Sequence, residues 1–193
     1  MTNETIKNNF QTNFYNFLKK NLKLLIIILV TIFIFLLIFI FIQNIKKKNE
    51  IRLSDEYIQA TILISQKKVT ESKLLLESII NKKHNFYSPL ALYLIIENNI
   101  EAEPLNIINF FDIILKNNSI DTENLNLIKI KKAIYLLDQN NEKLIIETLN
   151  PVINSESTWR NMAINIIVEY FLSKDQNSKA NEYTELLKIK INK

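Results

Sequence analysis

The chain's one histidine, His84, lies in the polar run Asn81-Lys82-Lys83-His84-Asn85. A metal centre or a Ser-His-Asp relay needs an imidazole set among further ligands or beside a positioned carboxylate. No second histidine and no cysteine exist here to complete a metal site, and a single histidine in a polar run makes the relay a poor bet. His84 therefore reads as a solvated loop residue. The carboxylates offer no better start: Glu142-Lys143 and Glu182, Glu185, Lys188 have the spacing of solvated helix faces, and no two acids have a reason to divide into acid and base. Glycine is absent too. That excludes Gly-rich phosphate loops and nucleophile elbows, whose backbone angles only glycine adopts cheaply. With no cysteine there is no disulfide, thiolate site or cysteine nucleophile. The expectation is a protein that is not an enzyme, with no catalytic residue, no cofactor, no metal and no small-molecule substrate. What remains is binding.

The elements that would position a binding surface follow from length, charge and periodicity. The 193 residues allow one ordinary domain and an appendage. Isoleucine, asparagine and lysine number 35, 27 and 22, the composition of an A/T-rich coding bias. The asparagines form no tract, and they stand in for glycine at turns because asparagine visits the left-handed region at modest cost. Charge is unevenly shared: residues 1–53 carry eight Lys/Arg and two Glu, whereas 54–193 carry sixteen Lys/Arg and eighteen acids. The basic character belongs to the N-terminal flanks, so the rest of the chain has no electrostatic support for binding nucleic acid.

Leu24 to Ile42 reads LLIIILVTIFIFLLIFIFI, with Thr31 its one polar residue. As a helix it spans roughly 28 Å, about the thickness of a bilayer's hydrocarbon core. The exit Gln43-Asn44-Ile45-Lys46-Lys47-Lys48 lacks the small-residue pattern of a signal-peptide cleavage site, and the span is read as an uncleaved anchor. Lys19, Lys20 and Lys23 before it nearly balance Lys46, Lys47, Lys48 and Arg52 after it, so the flanks do not fix orientation. Lys46-Lys47-Lys48 would suit an anionic leaflet, or serve only to end the span. Phe10, Phe14, Phe17 and Leu18 fall on one face of a short helix suited to the headgroup region. The expected organisation is a short interfacial segment at 1–23, a transmembrane helix at 24–42, a basic linker at 43–53 and a helical domain at 54–193.

Within 54–193 the period is helical, and the fold class is all-α. Trp159, Met162, Ala163, Ile166, Ile167 and Tyr170 form one stripe, and Ala180, Tyr183, Leu187 and Ile191 another. Ser88-Pro89 and Glu103-Pro104 read as N-cap followed by N1 proline. Asn98-Asn99, Asn117-Asn118 and Asn140-Asn141 read as turns. Four hairpins result, at about 54–82, 86–117, 121–153 and 157–191, close to the 34-residue tetratricopeptide period. Ala60, Ala91, Ala133 and Ala163 recur in the first helix of each, where paired helices must approach closely. A generic antiparallel bundle is the alternative. Stacked hairpins make a concave groove lined by first helices, and by register Tyr57 and Arg160 point into it. Trp159, at the head of its stripe, is assigned to the core.

A short helix ending in Asn-x-Lys, one span and a divergent tetratricopeptide-like domain resemble the ancillary subunit of the bacterial Sec translocon. The family has Asn-Gly-Lys before its span; here Asn21-Leu22-Lys23 occupies that place, with Leu22 at the glycine. Tyr87-Ser88-Pro89-Leu90-Ala91 resembles the family's Tyr-x-x-Leu-Ala opening of the second repeat, and Leu127 to Ile153 is similar to its third hairpin. The resemblance implies a single-pass protein of the bacterial inner membrane with its C-terminal domain in the periplasm. The implied partners are Sec translocon subunits and a periplasmic membrane-anchored chaperone, and the implied role is a scaffold or chaperone-like adaptor. The alternatives are a cell-envelope assembly or division factor that uses the repeats as a docking platform, and a scaffold facing the cytoplasm.

Overall fold

In a computed structural model of the protein, residues 16 and 19–188 are described, and all regular structure among them is helical. Phe10, Phe14, Phe17 and Leu18 of the N-terminal stripe, and Ile191 of the last one, lie outside them. The helices are α1 (Leu22–Ser65), α2 (Val69–Asn81), α3 (Tyr87–Glu97), α4 (Pro104–Leu115), α5 (Thr122–Asp138), α6 (Glu142–Ile153), α7 (Arg160–Ser173) and α8 (Asn177–Lys188). The chain divides into two compact units between Arg52 and Leu53.

The first unit contains the N-terminal part of α1. Its apolar stretch is long and apolar enough to cross a membrane, and none of its described residues is buried. A helix that served as a protein core would bury that surface. Thr31 donates its hydroxyl to the carbonyl of Ile27 at 2.8 Å, which satisfies the stretch's one polar side chain within the helix. Residues 43–53 continue the helix, with Lys46, Lys47, Lys48 and Arg52 exposed.

In the second unit the helices pack with their neighbours in sequence. α2 lies against α3, α5 against α6 and α7 against α8; α6 also meets α7, α5 reaches α7, and α2 reaches α4. Two apolar clusters result. The first gathers Ala60, Leu76, Ile79, Leu92, Ile95 and Phe111; the second gathers Ala133, Leu136, Ile145, Leu149, Ile167 and Phe171. Ala60, Ala91, Ala133 and Ala163 are all fully buried, as close helix approach requires. Where helices come nearest, hydroxyls tie them to neighbouring backbone. Ser72 donates to the Ala60 carbonyl at 3.2 Å, and Ser88 to that of Ile79 at 2.8 Å. Buried Lys132 on α5 pairs with Asp112 on α4 at 2.6 Å.

Helix ends follow partly from the sequence signals. Pro104 opens α4 with extended Glu103 before it, and Asp121 and Asn141 cap α5 and α6 by accepting from Asn124 and Leu144 N–H. Ser88 is not a cap, contrary to the Ser-Pro reading. α3 begins two residues earlier, at Tyr87, because the Nδ1 of His84 accepts from the N–H groups of Phe86 and Tyr87 at 3.2 Å each. Pro89 falls in the first turn, where a missing donor costs little. α1, α3, α5 and α7 each end in a left-handed residue: Lys67, Asn99, Asn140 and Asp175. At Lys67, Asn99 and Asp175 paired backbone bonds close the turn; Lys68 N–H donates to Leu63, Ile100 to Ile95 and Gln176 to Phe171. Glycine ordinarily fills such positions, and this chain fills them without it.

The α7 stripe is rotated from the expected one. Ile164 and Phe171 are fully buried, whereas Met162 is 47% exposed. The physical reason is that α7 is flanked by α5, α6 and α8, which widens its buried arc and turns it away from Met162. On α8, Leu186 packs against the second cluster and Leu187 is exposed.

Candidate binding face

α3 carries apolar side chains on both sides. Ala91, Leu92 and Ile95 face the core, while Phe86, Leu90 and Tyr93 recur at i, i+4 and i+7 on the opposite face. Phe86 is 57% exposed. Across from it, α5 presents Leu127, Lys131 and Ile134 at the same spacing. Between α3 and α5 lies a cleft of about 200 Å³, lined by Phe86, Pro89, Leu90, Tyr93, Leu127 and Ile128, with Asn85 and Asn124 at one end. Asn124 is already held, its side-chain amide donating to Asp121 at 2.6 Å.

Ring contacts and charge define the rest of the face. Phe86 meets the Tyr87 ring edge-on at 5.1 Å, and Tyr57 of α1 lies 6.1 Å from the same ring. Burial pushes the Tyr93 hydroxyl up to about 12, so it stays a neutral donor. The Lys131 ammonium stands 5.9 Å from the centre of that ring. Tyr57 and Tyr135 are also raised, chiefly by burial; Tyr57 feels Glu97 as well, and Tyr135 feels Asp138 and then Glu101. Glu97 and Asp138 are the last residues of α3 and α5, both exposed, and neither forms an ion pair among the described residues. Glu101 is different. Its side chain is only 4% exposed and pairs with Lys73 at 2.9 Å. The Glu103 N–H, first, and then Lys73 hold it down to about 2.

The residues singled out in the sequence are dispersed. Tyr57 packs on the first cluster, at the α1 side of this face. Arg160, by contrast, donates its Nε to the Ile153 carbonyl at 2.9 Å and its Nη2 to that of Leu186 at 2.8 Å. It ties the ends of α6 and α8 together, and the structure does not bring it to Tyr57. Trp159 is partly buried against the second cluster. His84 caps α3 as described, its Nδ1 free of a proton in that role. Among the described residues no group of three His, Asp or Glu is arranged to hold a metal ion. Comparison with protein-family descriptions, with curated proteins and with solved structures finds no match. The cleft itself was not singled out in the sequence. Its signal was there, in the second apolar stripe Phe86, Leu90, Tyr93.

Proposed function

We propose that this is a membrane-anchored, tetratricopeptide-like scaffold that binds a segment of a partner protein on the α3–α5 face. The exposed apolar cleft between two first helices carries this reading. An apolar surface left open beside the core and rimmed by polar groups is what protein recognition uses. The repeat assignment draws support from polar contacts that recur one hairpin apart. The Asn117 side chain donates to the Lys83 carbonyl, Thr158 to Glu123 and Lys174 to Asn140, at separations of 34, 35 and 34 residues. Anchoring in the same membrane as the partner raises effective concentration, so a weak site can still be filled. The resemblance of Asn21-Leu22-Lys23 and Tyr87 to Ala91 to the translocon family favours the Sec machinery as partner and the periplasm as location.

The test is recovery of partners from gently solubilised membranes with the full-length protein and with a Leu90→Asp, Leu127→Asp variant. Translocon subunits recovered with the first and lost with the second support the proposal. Recovery of envelope-synthesis proteins alone would overturn the translocon assignment. A reporter active only outside the cytoplasm, fused after Lys193, is expected to be active; a silent one would place the domain inside.

A further inference from the structure

The α3–α5 face carries a second pattern besides its apolar floor, and it concerns what the occupant must look like. This inference rests on the binding face proposed above. A helix C-terminus is the negative end of the macrodipole, and an acid there is disfavoured where a cation would be stabilising. α3 ends on Glu97 and α5 on Asp138. Lys131 of α5 meets the Tyr93 ring of α3 across the cleft, and Glu97 and Asp138 continue the two facing stripes, each at i+11 from Phe86 and Leu127, so both helices end at the same end of the face. Two exposed carboxylates therefore stand at the end of the face opposite Asn85 and Asn124, and neither is in an ion pair among the described residues. The Lys174 ammonium at the α5 end bonds the Asn140 side-chain oxygen instead. Lys131, the base of this face, stands over the Tyr93 ring nearer the middle. Residues 54–193 carry more acids than bases, so an acidic partner has no general attraction to this region.

We propose that the face binds a polypeptide segment that is apolar along its length and carries Lys or Arg at one end. The apolar part lies over Phe86, Leu90 and Leu127, and the cation sits between Glu97 and Asp138. Burying the apolar stretch supplies affinity, and the charges set direction and exclude acidic segments.

The test uses the full-length protein in discs of neutral phosphatidylcholine, with empty discs as the reference. The probes are two labelled leucine-rich peptides, one ending in lysines and the other in glutamates, read by fluorescence anisotropy. The lysine peptide is expected to bind roughly tenfold tighter, a margin that two exposed charge contacts can supply and that added salt narrows. Glu97→Gln with Asp138→Asn is expected to weaken the lysine peptide roughly fivefold and leave the other nearly unchanged, without lowering the melting temperature. Leu90→Ser with Leu127→Ser is expected to weaken both. Equal binding of the two peptides, or a preference that survives loss of both acids, overturns the cationic occupant and leaves the scaffold standing. No binding of either peptide above empty discs overturns both.

Discussion

α3 and α7 each pack between the helices before and after them in sequence, and their inward faces are built alike. Ala91, Leu92 and Ile95 on one, and Ala163, Ile164 and Ile167 on the other, are all fully buried. Their outward faces differ. α7 presents Asn161, Asn165 and Glu169, all exposed, with Met162, 47% exposed, as an apolar residue among them. α3 presents Phe86, Leu90 and Tyr93 and has no charged side chain before Glu97. Packing explains the inward residues of both helices. Of the outward residues of α3, Tyr93 packs against the first cluster, whereas Phe86, 57% exposed, is not called for by it. Residues that the fold does not use are where a binding function can reside.

The comparison breaks most visibly where the two faces are exchanged as targets. Ala163→Phe is expected to destabilise the protein by about 1–3 kcal/mol through overpacking, whereas Leu90→Ser, at a partly buried site, is expected to cost about 0.5–1 kcal/mol. Urea titration of the two variants reads the difference, and an equally large loss at Leu90 would make α3's outward face structural. Next in size is Arg160→Lys. A lysine cannot reach the carbonyls of Ile153 and Leu186 together, and a loss of about 1–2 kcal/mol is expected in the same titration.

The region around α3 has its own signature in acid. Glu101 is ordinarily protonated near 4.5 and in the folded protein only near about 2. A carboxyl held down in this way stabilises the fold above pH 4.5 and loses that contribution as pH falls towards 2. Its share is on the order of 1–3 kcal/mol. Glu101→Gln is expected to flatten the stability profile between those pH values and leave Lys73 without its closest partner; an unchanged acid limb would refute the assignment. The smallest effect concerns the end of a first helix. Lys67→Gly relieves a left-handed lysine at φ 60° and is expected to raise stability by about 0.5–1 kcal/mol, measured by thermal melting. At Asn99 the same change should gain less, because asparagine tolerates that region better.

How far the sequence reached can be judged residue by residue. The α4 start at Glu103-Pro104 was legible because proline at N1 has a local cause. The turns at Asn99 and Asn140 were legible because asparagine advertises the left-handed region. Lys67 and Lys83 adopt it without any such signal, since lysine has no preference for it. Ser88 looked like a cap, but a nearby carbonyl, that of Ile79, was not visible in one dimension. Met162 fitted a single stripe, and only the flanking of α7 by three helices shows why the buried arc turns elsewhere. The binding face escaped for a related reason. Apolar residues on both sides of α3 blur its periodicity, so Phe86 and Leu90 merged with the core pattern.

The two apolar clusters are also separated along the chain. Every buried member of the first lies between Leu53 and Ile128, and every one of the second between Ile130 and Ala180. Among the described helices α5 supplies buried residues to both, and α4 lays partly buried Ile108 against the second. A chain emerging from its N-terminus can therefore complete the first cluster before α6, α7 and α8 exist. The second then grows on a template whose far side is already fixed, through contacts that join neighbours in sequence. In the finished protein the same division permits α6 to α8 to open while the first cluster stays closed, and amide exchange would separate into two protection classes meeting within α5.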